Sequence, residues 1–143
     1  ARALGADCIL LIMAALSQND AIELEKIANS LGMDALLEVH NDVELEQALT
    51  LQSDLIGINN RNLKTLETDT VTTKLLACKV PSDKLLISES GLYTPEDLAE
   101  MASAGARCFL IGESLMRQDD VAEAVRTLLA NPVLPSEQME QSL

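Results

Sequence analysis

Leu55-Ile56-Gly57-Ile58-Asn59-Asn60-Arg61 is an apolar strand that ends in two amides and a guanidinium. The same shape recurs in Leu36-Leu37-Glu38-Val39 and in Leu85-Leu86-Ile87-Ser88-Glu89-Ser90-Gly91. A fourth segment, Cys108-Phe109-Leu110-Ile111-Gly112-Glu113-Ser114, ends on a glycine and a hydroxyl. Strands that are apolar almost throughout are covered on both faces, which is the habit of parallel sheets. Polar groups gathered at their carboxyl ends converge on one rim, where α/β barrels build active sites.

Between these strands one phrase repeats: helix end, glycine, small residue, strand. It reads Ala3-Leu4-Gly5-Ala6-Asp7-Cys8-Ile9-Leu10, then Ser30-Leu31-Gly32-Met33-Asp34-Ala35-Leu36-Leu37, then Ser103-Ala104-Gly105-Ala106-Arg107-Cys108-Phe109-Leu110. Glycine after a helix accepts the left-handed conformation that ends it, so each copy is an αβ turn. Apolar residues at helical spacing (Leu24, Ile27, Ala28 and Leu31; Leu98, Met101 and Ala102; Val121, Ala124, Val125 and Leu128) mark the intervening helices. Asn41 with Glu44, and Thr94-Pro95-Glu96-Asp97, are helix starts.

The predicted order is strand 8–13, helix 19–31, strand 35–39, helix 42–51, strand 55–59, helix 69–77, strand 84–88, helix 94–104, strand 107–111 and helix 119–129. Residues 1–130 thus form one α/β folding unit of five βα repeats, and 131–143 are expected to be a loose polar tail. Five units do not close a (βα)₈ TIM barrel. Either three lie upstream, or the strands form an open doubly wound sheet. The opening residues Ala1 to Ala6 read as the last turn of a helix, without an initiator Met, so a C-terminal portion of a longer polypeptide is expected. That start, and the lack of a Gly-rich dinucleotide or P-loop motif, favour the barrel.

Composition excludes several functions. Ten Lys and Arg stand against 23 Asp and Glu, a net charge of −13, so no basic face for nucleic acid or for a membrane surface is expected. No apolar run approaches the roughly 20 residues of a membrane span. Cys8, Cys78 and Cys108 are odd in number and widely spaced, and Cys8 and Cys108 are expected to be small buried hydrophobes inside strands. No signal peptide is visible, and a cytoplasmic setting is the plain inference.

Candidate chemistry sits at the strand ends. Glu38 and Glu89 are carboxylates in apolar strands, costly unless paired or wet, and suited to general acid/base work. A structural ion pair is the other reading of each. Asn59 alternates with Gly57 and points an amide the same way, toward a substrate hydroxyl; Arg61 suits a carboxylate or phosphate. If the strands before Ser90-Gly91 and Gly112-Glu113-Ser114 are the last two of a barrel, these loops occupy the usual phosphate site on backbone N–H groups; plain turn glycines are the other reading of Gly91 and Gly112. Asn60 and Asn62 read as plain turn residues, His40 as a surface or helix-cap residue, and Met13 as core. Glu113 and Arg117 have the i, i+4 spacing of an ion pair.

Taken together, Leu36-Leu37-Glu38-Val39, Gly57-Ile58-Asn59-Asn60-Arg61-Asn62-Leu63, Ser88-Glu89-Ser90-Gly91 and Phe109-Leu110-Ile111-Gly112-Glu113-Ser114-Leu115-Met116 resemble indole-3-glycerol phosphate synthase. The resemblance runs from residue 1 to about 130 and corresponds to strands 4 to 8 of a phosphate-binding (βα)₈ barrel of the ribulose-phosphate-binding type. It implies a lyase of tryptophan biosynthesis that closes and decarboxylates 1-(2-carboxyphenylamino)-1-deoxyribulose 5-phosphate without a metal or organic cofactor. It implies Glu38 as general base, Asn59 on substrate hydroxyls, Arg61 beside it and Glu89 near the anilino nitrogen. Ser90, Gly91, Gly112 and Glu113 then match the phosphate site, with Glu113 giving its backbone N–H. The family's general-acid lysine lies on strands 1 to 3, so this chain alone is expected to turn over negligibly. The rival readings are a sister phosphate-binding barrel, such as phosphoribosylanthranilate isomerase, and a noncatalytic half-barrel that self-assembles through its sheet edges.

Overall fold

The computed structural model describes residues 1–130; the expected tail at 131–143 lies outside the described residues. Five strands, β1 (Cys8–Ile12), β2 (Asp34–Val39), β3 (Leu55–Asn59), β4 (Leu85–Glu89) and β5 (Cys108–Leu110), form one sheet in chain order. Every adjacent pair is parallel. The helices are α1 (Gln18–Ser30), α2 (Asp42–Ala48), α3 (Val71–Ala77), α4 (Pro95–Ser103), α5 (Glu113–Met116) and α6 (Val121–Leu129). This is the serial βα order read from the sequence, curled as a partial barrel. The differences lie at the ends: helix 42–51 stops at Ala48, helix 69–77 begins at Val71, and strand 8–13 gives way to a 3₁₀ turn at Met13–Ala15.

Local chemistry sets these boundaries. Ser17, Asn41, Thr94 and Asp120 each accept a backbone N–H three residues on, at the starts of α1, α2, α4 and α6. Thr94 and Asp97 form a reciprocal capping box, with Pro95 in the first turn. The three repeated αβ turns place Gly5, Gly32 and Gly105 at φ of 88°, 68° and 116°, conformations that a side chain would strain.

One strand phase builds the core. Leu11, Leu37, Val39, Ile56, Ile58 and Leu86 pack against Ala21, Leu45, Leu76, Leu98, Met101 and Leu128 of the helices, and Met13 joins them as expected. The opposite phase behaves differently. Leu10 and Leu110 are 44% and 52% exposed, and Cys8 and Cys108 are exposed as well. Both cysteines were expected to be buried. They sit on edge strands, on the face that carries no helix, so the covering of both faces expected of a parallel sheet does not hold among the described residues. The apolar stripe read for α1 is also corrected: Leu24, Ile27 and Leu31 are exposed, and Ala21, Glu25 and Ala28 face the sheet. α1 follows edge strand β1, and among the described residues no helix flanks its far side.

Glu25 is a buried carboxylate that the pattern did not single out. It accepts the backbone N–H groups of Gln52 at 3.1 Å and Ser53 at 2.7 Å, in the turn before β3. The Ser53 hydroxyl donates to the Ala35 carbonyl and accepts from Leu55 N–H. α1 is thereby tied to the entry of the strand that carries Gly57 and Asn59. Replacing Glu25→Ala leaves two part-buried N–H groups without an acceptor and is expected to cost about 1–3 kcal/mol. Glu25→Gln, which keeps one acceptor oxygen, should cost less; equal urea midpoints for wild type and Glu25→Ala would refute the tie.

Candidate active site

Two carboxylates meet at the carboxyl ends of the strands. Glu38 on β2 pairs in register with Gly57 on β3, and Glu89 on β4 pairs with Asn59, so all four lie on the same sheet face. Glu38 is 4% and Glu89 2% exposed. β3 separates their strands, and Gly57 leaves the space over which the Glu89 side chain reaches. A Cβ at position 57 would stand 1.9 Å from Glu89 Oε1 and 3.2 Å from Leu36 Cδ1. Burial, then the charge of Glu38 beside it, pushes the Glu89 carboxyl up to about 8 from the usual 4.5. No Lys, Arg or His nitrogen lies within 4.0 Å of Glu89 among the described residues, so the ion-pair reading fails for this acid.

Among the described residues Glu38 has one basic neighbour, His40, whose Nε2 lies 3.4 Å from Oε1. The surface reading of His40 is corrected here. Its side chain is 13% exposed, and Nδ1 lies 3.0 Å from Glu44 Oε2, which also accepts the His40 backbone N–H at 2.8 Å. Asn41 caps α2 as expected, but the reciprocal Glu44 bond goes one residue further back, to His40. The signal in the sequence was Glu38-x-His40 with Glu44 one helical turn on.

The Asn59-Asn60-Arg61 segment divides its labour. Asn59 uses its amide oxygen on the Arg61 backbone N–H at 2.9 Å, which leaves its NH₂ for the rim. Asn60, read as a turn residue, is 2% exposed and is the knot of a buried network. Its NH₂ donates to Ser88 Oγ at 3.2 Å and to the Ser90 carbonyl at 3.0 Å, and its oxygen accepts from Thr73 N–H and Oγ1. This holds the loop after β4 where Ser90 adopts φ 64°, uncommon for a side-chain-bearing residue. Asn62 is the plain turn residue expected, accepting from Lys64 and Thr65 N–H.

A cavity of about 310 Å³ opens beyond β4 and β5, lined by Arg61, Glu89, Ser90, Gly91, Gly112 and Glu113 among others. Gly91 has a structural need for glycine: φ is 71° and a Cβ would meet Thr68 Cγ2 at 2.5 Å. Gly112 has none, since φ is −121° and nothing lies within 4 Å of its Cβ position. Its missing side chain keeps the cavity open. Arg61 reaches across to the Glu113 carboxylate, which also holds Arg117 at 2.5 Å, the i, i+4 pair expected. Those contacts lower the Glu113 carboxyl, the Arg61 hydrogen bond most of all. Arg61 Nε is buried with no hydrogen-bond partner. The Ser114 hydroxyl donates to the Leu92 carbonyl and is not free for a ligand.

The family model described as indole-3-glycerol phosphate synthase matches residues 1–128. The indole-3-glycerol phosphate synthase of Azospirillum brasilense is 62% identical over 129 residues, covering 90% of this chain and 49% of that protein. That of Rhodospirillum rubrum is 57% identical over 130 residues, with 90% and 49% covered. The chain spans about half the length of the curated relatives it matches. Among solved structures, one titled "Native KDPGal structure" aligns with a TM-score of 0.61 at 21% identity, covering 94% of this chain and 60% of that one. At that identity it shows the fold alone, which is barrel-like.

A carboxyl raised from 4.5 to about 8 makes folding pH-dependent in a defined direction. Between those values the folded chain keeps a proton that the unfolded chain has lost, so stability falls as pH rises through the window and levels off above it. Glu89→Gln, which mimics the protonated acid, is expected to remove that contribution and to gain on wild type at alkaline pH. Parallel urea curves for the two chains at every pH from about 5 to 9 would refute the assignment.

Proposed function

The chain belongs to the indole-3-glycerol phosphate synthase family, and on that premise we propose that it supplies the acid–base pair and the phosphate end of such an enzyme. The reaction is closure and decarboxylation of 1-(2-carboxyphenylamino)-1-deoxyribulose 5-phosphate to indole-3-glycerol phosphate. One observation carries the reading: of two buried carboxyls beside one another, Glu38 and Glu89, the second lines a cavity that Gly112 and Arg61 also line. Two adjacent acids cannot both ionise in so little water, which separates them into a base and an acid.

Glu38 takes the base role, removing the proton whose loss restores aromaticity after dehydration. Glu89, which keeps its proton near neutrality, serves the anilino nitrogen and departing hydroxyl. The Asn59 NH₂ orients a substrate hydroxyl. The phosphate lies at Ser90, Gly91, Gly112 and the Glu113 backbone, and Arg61 faces the anionic end of the substrate from between the cavities. Neither a metal nor an organic cofactor has a part in these roles. None of the lysines lies within 4.0 Å of Glu38 or Glu89 among the described residues, and the family's general-acid lysine belongs to strands that the matched segment does not include. The bare sheet face with Leu10 and Leu110 is then covered by the remaining barrel units in cis. A cytoplasmic setting suits three free thiols.

The test joins this chain to the N-terminal half of the Azospirillum brasilense relative and follows indole fluorescence with the carboxyphenylamino substrate. Turnover is expected in the joined protein and negligible turnover in the 143-residue chain. Glu38→Gln and Glu89→Gln should each lower kcat by about 10²–10⁴-fold, and Arg61→Ala should act mainly on KM. A folded, phosphate-binding fusion without turnover would move the chain to another phosphate-binding barrel.

A further inference from the structure

Among the described residues His40 is the one basic group in contact with the buried acids, and its surroundings fix its hydrogens. Glu44 Oε2 accepts the His40 backbone N–H at 2.8 Å and lies 3.0 Å from Nδ1, while Oε1 accepts from Asn41 Nδ2 at 2.6 Å. A carboxylate committed to donors on both oxygens is an acceptor toward the ring, so Nδ1 carries a hydrogen. Nε2 then faces Glu38 Oε1 at 3.4 Å, and both atoms are buried with no other partner. A neutral ring would set a lone pair against a carboxylate oxygen, two acceptors face to face. One proton between them turns that conflict into a charge-assisted contact.

The arrangement is one-sided. Glu38 has His40; Glu89 has no cation within 4.0 Å among the described residues. The other charges facing His40 are Glu44 from α2 and, across a shared cavity of about 360 Å³, Arg61, Lys64, Glu67 and Asp69 from the loop after β3. Arg61 is engaged by Glu113, and Lys64 forms no ion pair among the described residues.

We infer that His40 decides which of the two buried acids is the base: a proton held between His40 Nε2 and Glu38 Oε1, with Nδ1–H anchored on Glu44, keeps Glu38 anionic and leaves the acid's proton on Glu89. His40 is a positioning residue, acting on substrate only through Glu38. The inference rests on the reading of Glu38 and Glu89 as base and acid, and it accounts for how two chemically equal side chains take opposite roles.

His40 is the only histidine in the chain, so a histidine-selective ¹⁵N spectrum reports it without assignment. In the wild-type chain near neutrality, both ring nitrogens should carry hydrogen, as the Glu44 and Glu38 contacts require. Glu38→Gln should return the ring to the Nδ1–H form, with Nε2 bare. Glu44→Gln, at the rim and without disturbance of the buried pair, should loosen the Nδ1–H anchor and move the ring spectrum in the same direction. In His40→Asn the Glu89 carboxyl ¹³C signal should lose its protonated character near neutrality as the proton spreads over both acids. A neutral ring in the wild-type chain, or a ring unchanged by Glu38→Gln, overturns the inference and leaves the roles of Glu38 and Glu89 standing. Loss of those roles is read separately, in the turnover of Glu38→Gln and Glu89→Gln.

Discussion

Gly57 lies on β3 between the two strands whose carboxyls meet, and the meeting requires that β3 present no side chain there. Oε1 of Glu89 occupies the volume that a Cβ would take, 1.9 Å from its ideal position. Every consequence at the rim follows from this gap. Glu89 reaches Glu38 across a whole strand, the pair leaves water together, and their mutual charge keeps a proton on one of them. A glycine in a central strand costs stability through backbone entropy and lost packing. An alanine here would put its methyl where Glu89 Oε1 lies and press it on Leu36 Cδ1.

Holding a charged pair in so apolar a sheet calls for rigid support, and it comes from the opposite strand phase. Ser88 and Asn60 point toward the helices, where they bind Thr73 of α3. Through the Ser90 carbonyl, Asn60 joins the end of β3 to the loop after β4. The left-handed Ser90 costs of order 1–3 kcal/mol. That network over-determines it, and so the loop after β4 and the acid pair are fixed by the same few atoms.

Much of the fold was legible because helices and strands announce themselves in local periodicity and in turn chemistry. The three Gly turns, the Thr94 box and the apolar strands needed only neighbours in sequence. The strand-end acids were legible too, since a carboxylate in an apolar run is informative wherever it falls. What escaped notice depended on long-range partners. Asn60 reads as a turn residue until Thr73 and Ser88 stand beside it, and His40 reads as exposed until Glu44 folds back. The cysteines and the α1 stripe misled for a related reason. An apolar residue promises burial, but the side of a sheet or helix that is buried depends on which neighbours are present.

An overall charge of −13 opposes an anionic ligand, and the cavity beyond β4 and β5 meets it locally. Two acids border the cavity beyond β4 and β5. Glu89 is neutralised by a proton, because burial and Glu38 raise its carboxyl to about 8. Glu113 stays ionised but is spanned by Arg61 and Arg117. Arg61 lines the cavity and Arg117 holds Glu113 from outside it, while the excess acids of the chain lie on outer helices and turns such as Glu23, Glu46, Asp83 and Glu96. Screening at physiological salt acts over about 8 Å, so those outer charges weigh little there. A strongly acidic chain can therefore hold a cavity whose two carboxyls are silenced by different means: one by a proton, the other by arginine.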